Sequence, residues 1–342
     1  MDAVDVIAVV GPCKPERLMY AKRLARLTNR AFFAASRLAG SPYPAEEAAV
    51  LASWTDPAAG AVVELPDEVP AEELIAVFAD GDERTRLGGI VCVVDAAHLF
   101  DDLNRDDYLP LRDADSGVAA PLVARAQLTV AQLEHASTIV LVGWTALSLP
   151  ELTTIMALLS HLSPAARLRL HRDAIEHLVP GEPYTCEQDR PGWMRVLSGA
   201  FEPHMTDRRV SALRYEQVHP LHPERLGRVL DELEAGSFGH LVRSAGFCRL
   251  ATRPHVVAQW EHVGSMISLN PAAFDERIAD DEELLAIGQD LAFIGLDLDH
   301  DAIVRVLDAA ALTDDELAAG PAAWARFTDP FPDWAGAVDR SE

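Results

Sequence analysis

Four nearly continuous apolar runs organise the first half of the chain. They are Val6–Val10, Gly60–Pro66, Gly88–Ala97 and Ala136–Trp144. Segments with helical spacing, such as AEELIAVFA and PLVARAQLTVAQLEHA, separate these runs. Strands that are apolar on both faces are typical of a parallel sheet covered by helices on both sides. We therefore predict a doubly wound α/β domain, with Val6–Val10, Gly89–Val94 and Thr138–Val142 as adjacent central strands.

The second half has a different pattern, in which strands follow one another before a helix returns. A strand and a helix starting at Pro223 are predicted within RRVSALRYEQVHPLHPERLGRVLDEL. GFCRLATR and VVAQWEHVGSMISLN are predicted to be adjacent antiparallel strands, QDLAFIGLDL a further strand and HDAIVRVLDAAAL a helix. This order predicts a small α+β domain. The predicted bounds are residues 1–180 for the α/β domain, 181–208 for a linker and 209–334 for the α+β domain.

Composition narrows the classes of function. The chain has 342 residues, of which 49% are hydrophobic and 24% charged, and its formal net charge is -25. Binding to nucleic acid backbones needs concentrated Lys and Arg, so we expect no free DNA as a partner. A local basic stretch such as RLRLHR at Arg167–Arg172 could still contact RNA, but its basic residues alternate with Leu and it is better explained as an edge or surface strand. We expect a cytoplasmic protein, because no secretory leader or membrane-length apolar run is visible.

The four cysteines are isolated from one another in the sequence. Cys13, Cys92, Cys186 and Cys248 form no C-x-x-C pair. This spacing favours free buried thiols over a disulfide framework or a zinc site.

The first strand leads into a frame that normally binds phosphate. VIAVVGPCKPERLMYAKRL reads as a strand, a turn at Gly11 and a helix. In a loop of the form G-x-x-x-x-G-K-[ST], the second Gly, the Lys and the hydroxyl residue would stand at Glu16, Arg17 and Leu18. Glu16 would repel phosphate and Leu18 cannot ligate magnesium. Only Lys14 or Arg17 could replace the Lys of the phosphate loop as the cation that neutralises phosphate.

Several ordered segments resemble the CobW-like GTPases, a family that includes many metal-trafficking proteins. The segments are HPLHPERL, RSAGFCRLATRP, GSMISLNPA, QDLAFIGLDLD, LDAAALTDDE and DPFPDW in the second half, with GGIVCVVDAAHLFDDL and AQLEHASTIVLV in the first. The resemblance implies a P-loop-GTPase-like domain followed by a CobW C-terminal domain.

The chain departs from this family at the motifs that bind phosphate, guanine and metal. Glu64 matches the acidic residue of the second phosphate motif, but Asp67 stands where that motif has Gly. The guanine-reading N-K-x-D motif would lie at Val142–Thr145, which reads VGWT. The metal motif C-x-C-C has no counterpart between the second and third strands. We therefore predict a scaffold without GTP hydrolysis and without a bound cofactor.

Two further sets of residues are candidates for binding. His219 and His222, three apart in VHPLHP, are weak candidates for a metal site with a third ligand such as His204, although a strand-to-helix turn explains them as well. Arg249, Arg253 and Trp260 are candidates for a partner surface, because Arg and Trp carry much of the energy at interfaces. The alternative is that Trp260 lies in the core and the arginines pair with carboxylates.

Two functions follow from the resemblance. The first is a non-hydrolysing adaptor in zinc homeostasis, of a degenerate actinobacterial type linked to zinc starvation, with a ribosome or a ribosome hibernation factor as its partner. The second is an active GTP-dependent metal chaperone in which Arg17 or Lys14 replaces the usual Lys and Glu64 or Asp95 holds magnesium. The sequence leaves the oligomeric state open.

Overall fold

A computed structural model describes residues 3–79, 84–111, 122–172, 184–185, 190–274 and 288–334. Contacts between residues divide the chain into two compact units. Unit 1 contains the described residues up to Gly192 together with Pro203–Thr206, and unit 2 contains Trp193–Glu202 and the described residues from Asp207 onward.

Unit 1 consists of strands and helices that alternate along the chain. Its strands are β1 (Val4–Val10), β2 (Ala31–Phe33), β3 (Ala61–Glu64), β4 (Thr85–Asp95), β5 (Tyr108–Pro110), β6 (Leu122–Ala124), β7 (Thr138–Val142) and β8 (Arg167–Leu170). Its helices are α1 (Lys14–Thr28), α2 (Ala35–Leu38), α3 (Pro44–Ser53), α4 (Ala71–Ala79), α5 (Leu99–Leu103), α6 (Arg125–Glu134) and α7 (Leu149–Leu162).

Six of these strands form one parallel sheet in the order β2-β3-β1-β4-β7-β8. The prediction that β1, β4 and β7 are adjacent parallel strands is confirmed. Tyr20, Leu24 and Ala25 of α1 pack on one face of the sheet against side chains such as Val9 and Val93. The sheet's apolar runs are continuous because helices cover it, as in doubly wound folds. Arg167–Leu170 is an edge strand, as its alternation predicted.

Unit 2 is built around an antiparallel sheet. After α8 (Gly192–Leu197), its elements are β9 (Val210–Gln217), α9 (Pro223–Glu234), β10 (His240–Cys248), β11 (Val256–Val263), β12 (Met266–Phe274), β13 (Gln289–Leu296), α10 (His300–Ala310), α11 (Asp314–Ala319) and α12 (Pro321–Trp324). The five strands lie in the order β12-β11-β10-β13-β9. The predicted α+β class is confirmed, and α9 begins at Pro223 as expected.

One strand assignment was wrong. VVAQWEHVGSMISLN was predicted as a single strand, but it forms the hairpin β11–β12 in which Val263 pairs with Met266. Gly264 has φ 58°, a left-handed conformation that suits the first position of a two-residue hairpin turn. The reversal lets Trp260 and Phe293 pack in one core beneath α9 and α10. Within the described parts of the chain, no helix combines the length and apolar character that a membrane crossing needs.

Candidate functional site

The connection between β1 and α1 contains only Gly11, Pro12 and Cys13. A phosphate loop needs four residues between its two glycines, and here the second pair of those residues already belongs to α1. Gly11 has φ 126°, and a Cβ atom built on it would lie 2.0 Å from the carbonyl oxygen of Val93. The glycine therefore lets the end of β1 lie against β4, and the connection is too short to wrap a phosphate group.

Arg17 fills the space behind this connection. Its side chain is fully buried, and its Nη1 donates to the Gly11 carbonyl and to Asp67 Oδ1 at 2.5 Å. Its Nε lies 3.4 Å from Glu64 Oε1. Lys14, three residues earlier on the helix, is exposed. The helix therefore sends one cation inward and the other to solvent, and we name Arg17, Glu64 and Asp67 the Arg17 cluster.

The two carboxylates of the Arg17 cluster also hold other parts of unit 1. Glu64 Oε2 accepts the backbone N–H of Ala35 at 3.1 Å, at the start of α2. Asp67 Oδ2 lies 3.6 Å from Arg125 Nη1, at the start of α6. Glu64, the acidic residue of the second phosphate motif, and Asp67, at the Gly position of that motif, are thus both engaged by protein groups. Arg17 Nη2 has no hydrogen-bond partner among the described residues.

Gln132 on α6 is a participant that motif comparison missed. Its side chain is 3% exposed, and its Oε1 accepts the backbone N–H of Gly11 at 3.0 Å. Its Nε2 lies 3.5 Å from the Val69 carbonyl oxygen. A backbone N–H that would face phosphate in a nucleotide loop is therefore bound to a side chain of the protein. A polar residue on the buried face of a predicted amphipathic helix was the only signal in the sequence.

The other residues at the phosphate-loop positions pack against the protein. Glu16 and Leu18 are both half-buried on α1. Cys13 donates its thiol to the Val93 carbonyl oxygen at 3.0 Å. Burial, and next the charge of Glu16, raise the pKa of Cys13 to about 12. This supports the interpretation of Cys13 as a packed turn residue, because reactive thiols have lowered pKa values. Cys92 and Cys248 are buried free thiols, and Cys186 lies outside the described residues.

The segment at the position of the guanine-reading motif contains Trp144, which forms a hydrogen bond with the residue that follows β8. Gly143 turns the chain out of β7 with φ 64°, and Trp144 Nε1 donates to the His171 carbonyl oxygen at 2.9 Å. The Arg172 guanidinium lies 5.8 Å from the Trp144 ring centre. At the end of β4, Asp95 Oδ1 accepts the Ala97 N–H at 2.9 Å. Trp144 stands at the variable position of the motif, and Thr145 stands where the motif has the Asp that reads guanine.

The candidate metal ligands make contacts with the protein. His219 Nδ1 lies 2.8 Å from the Leu312 carbonyl oxygen, and His222 stacks on Phe327 with ring centres 4.3 Å apart. His204 Nδ1 lies 2.9 Å from Ser160 Oγ. Burial, and next Arg225, lower the pKa of His222. Throughout the described ranges, no group of three or more His, Cys, Asp and Glu side chains has the arrangement of a metal site.

The candidate partner surface is not a surface in the structure. Trp260 is fully buried and donates its Nε1–H to Ser244 Oγ at 2.8 Å. Arg249 is 9% exposed and donates to the Pro254 carbonyl oxygen at 2.9 Å. Arg253 pairs with Asp329 at 3.1 Å and lies 4.1 Å from the Trp334 ring centre. The alternative that the sequence left open, a core tryptophan with arginines paired to carboxylates, describes Trp260 and Arg253, whereas Arg249 contacts a backbone carbonyl.

Comparison with known proteins gives a family match in the second half of the chain and longer matches to curated relatives. Residues 210–311 match the family described as cobalamin synthesis protein cobW C-terminal domain. The chain is 25% identical over 297 residues to zinc-regulated GTPase metalloprotein activator 1 of Dictyostelium discoideum, an alignment covering 78% of this chain and 62% of that protein. It is 27% identical over 278 residues to a zinc chaperone of Mycobacterium tuberculosis, covering 73% of this chain and 62% of that protein.

Solved structures with similarity include the Zn(II)-bound YjiA GTPase of E. coli. That match has 14% identity and a TM-score of 0.36, and it covers 91% of this chain and 100% of the other. A Zn(II)-bound triple mutant of YjiA GTPase matches with 14% identity and a TM-score of 0.32, covering 74% and 71%. The family match in unit 2 and the curated relatives agree with one another: residues 210–311 match the CobW C-terminal domain family, and the chain as a whole is similar to proteins described as zinc-related.

Proposed function

We propose that this CobW-like protein does not hydrolyse GTP and acts in metal homeostasis as an adaptor that binds other proteins. The observation that carries the proposal is the Arg17 cluster. The cation at the position of the phosphate-loop Lys is fully buried and bound to Glu64, Asp67 and the Gly11 carbonyl. Arg17 Nε and Nη1 are thus engaged by groups of the protein, while Nη2 has no hydrogen-bond partner among the described residues.

A nucleotide would have to break these contacts before it could bind. Separating a buried ion pair costs about 3–5 kcal/mol, which reduces affinity by roughly two to three and a half orders of magnitude. Gln132 would also have to release the Gly11 N–H. The short connection would still lack the loop of N–H groups and the magnesium-binding hydroxyl that offset a triphosphate in P-loop proteins.

The link to metal homeostasis rests on the relatives. One is described as a zinc-regulated GTPase metalloprotein activator and another as a zinc chaperone. The alignments span 62% of the length of each, so the activity of the whole relative is not transferred to this chain. Zinc homeostasis is the process that these descriptions support.

The proposed partner is a ribosome or a ribosome hibernation factor recruited under zinc limitation. An adaptor of this kind uses the scaffold for protein contacts and needs no nucleotide turnover. Cells grown with and without zinc provide the test, with the chain tagged and ribosomes separated by sedimentation. We expect the chain to sediment with ribosomes or with such a factor only in zinc-starved cells, and its absence from both fractions would contradict the proposed partner.

Isothermal titration with GTP and magnesium tests the loss of nucleotide binding. We expect no saturable heat from the unmodified chain up to about 100 μM GTP, because the Arg17 cluster occupies the site. Binding at about micromolar affinity would contradict the proposal and favour the active metal chaperone. Loss of that binding in Arg17→Ala, with retention in Lys14→Ala, would then identify Arg17 as the substitute for the phosphate-loop Lys.

A further inference from the structure

The solvent-facing side of α3 and the two residues that flank the helix carry three exposed large apolar side chains. Val50 is 47% exposed and Trp54, which caps the helix, is 73% exposed. Tyr43, at the other end, is 38% exposed. All six tryptophans lie in described parts of the chain, and Trp54 is the only one classed as exposed. Exposed large apolar side chains grouped on one face of a helix are one mark of an interaction site.

These side chains share one face of the helix with acidic residues. Positions 43, 46, 47, 50 and 54 follow the three- and four-residue spacing that aligns side chains along a helix. The opposite side of α3 packs inward through Ala45, Ala48, Leu51 and Ala52. We name Tyr43, Glu46, Glu47, Val50 and Trp54 the α3 strip.

The charged residues of the α3 strip are both acidic, and a further carboxylate, Glu73, lies beside the strip. Within the described portion of the chain, Glu46, Glu47 and the neighbouring Glu73 of α4 make no ion pair. Burial, and next the charge of Glu46, raise the pKa of Glu73. A cationic group placed against the strip would relieve this repulsion.

We propose that the α3 strip docks a basic protein segment that presents an apolar anchor to Val50 and Trp54 and Lys or Arg side chains to Glu46 and Glu47. This inference rests on the proposed adaptor function and names its contact surface. The acidic residues disfavour a nucleic acid, whose phosphates they would repel. A symmetric contact with a second copy would place the same acidic strip against itself.

The location of the strip agrees with this assignment. α2 and α3 fill the interval between β2 and β3, which contains no Cys or His. The strip lies on a helix whose buried face anchors it to unit 1, so a partner meets a rigid surface. Trp and Tyr are the residues that most often dominate interface energies, and acidic neighbours raise the rate and specificity of association with a basic partner.

Site-specific photo-crosslinking in the native cells tests the proposal. A benzophenone amino acid replaces Val50, and Leu149, which is 77% exposed on α7, is replaced in a matched control. We expect position 50 to yield a dominant adduct, identified by mass spectrometry as a protein with a basic contact segment, and position 149 not to yield it. An adduct with a second copy, with nucleic acid or with an acidic segment would overturn the proposal, as would the absence of an adduct specific to position 50.

Reconstitution with the identified protein completes the test. Trp54→Ala and the pair Glu46→Lys with Glu47→Lys should each weaken binding at least about tenfold. Charge reversal at Glu232 and Glu234, exposed on α9, is the matched control and should leave affinity within about twofold. Equal effects from both pairs would overturn the assignment to α3. The adaptor function would still stand if ribosome association persisted in the Trp54→Ala variant, so the two proposals fail separately.

Discussion

Arg17 in unit 1 and Arg253 in unit 2 both hold irregular backbone in place, but they do so at different depths. Arg17 is fully buried between the β1–α1 connection and the residues that follow β3. Arg253 keeps 15% of its side chain exposed while it binds Asp329, the Phe331 carbonyl oxygen and the Trp334 ring. The first arginine occupies the place of a ligand contact, and the second fastens residues after α12 to the sheet domain.

The proposed loss of nucleotide binding depends on this difference in depth. A buried guanidinium must be matched by carboxylates, since an unpaired charge in the interior is costly. Once Glu64 and Asp67 serve that purpose, they are no longer available to magnesium or to phosphate chemistry. Arg253 is partly exposed, so solvent stabilises part of its charge and it depends less on matched carboxylates.

Replacing Arg17 is the strongest test of this comparison. Arg17→Ala should lower the free energy of unfolding by about 3–5 kcal/mol, because it leaves Glu64 buried without its cation. Chemical denaturation measures the change. Lys14→Ala is the control and should stay within about 0.5 kcal/mol, since Lys14 is exposed. Equal small effects from both variants would mean that Arg17 is not the buried counter-ion.

Gly11→Ala should have the next largest effect. Backbone strain at φ 126° and the overlap with the Val93 carbonyl together cost roughly 2–4 kcal/mol. Gly40→Ala is a matched control, because a Cβ at Gly40 meets no atom within 4 Å. Thermal unfolding of the two variants compares them directly. A neutral Gly11→Ala would show that the connection is open enough to be rebuilt around a ligand.

Arg253→Ala should cost less than Arg17→Ala. Loss of charged hydrogen bonds to Asp329 and the Phe331 carbonyl is expected to lower stability by about 1.5–3 kcal/mol. Near-ultraviolet circular dichroism should also change, because Trp334 loses its cation. Arg228→Ala, whose side chain is 66% exposed, is the control and should alter neither signal. If Arg253→Ala lowered stability as much as Arg17→Ala, the depth of burial would not explain the difference between the two arginines.

The smallest expected effect is the pH dependence of stability that comes from the Arg225–Glu316 ion pair. Hydrogen bonding to Arg225, ahead of the other contributions, lowers the pKa of Glu316 from 4.5 to about 2. Its ionised form therefore stabilises the fold above pH 4.5, and this contribution disappears as the pH falls towards 2. Glu316→Gln should be less stable than the unmodified chain at pH 7, and the two should converge near pH 2. A difference that is independent of pH would rule out the ionised pair as its cause, with Glu224→Gln as the control.

Much of the architecture followed from local pattern. The apolar runs at β1, β4 and β7 predicted three adjacent parallel strands, because a strand covered on both faces must be apolar on both. The helix beginning at Pro223 followed from its fixed φ at a first helical position. The hairpin at Gly264 was missed because the flanking residues read as one unbroken strand.

The sequence predicted which phosphate-binding residues are missing from the candidate site, but it did not predict the contacts that replace them. The sequence by itself showed Glu16, Arg17 and Leu18 at phosphate-loop positions, and with them the absence of the loop's chemistry. Only the tertiary structure brought Arg17 to Glu64, 47 residues away, and Gly11 to Gln132, 121 residues away. It likewise decided that Trp260 is buried and Trp54 exposed. Periodicity reports which face of an element is apolar, whereas burial and pairing depend on which distant elements cover that face, and the fold alone determines those contacts.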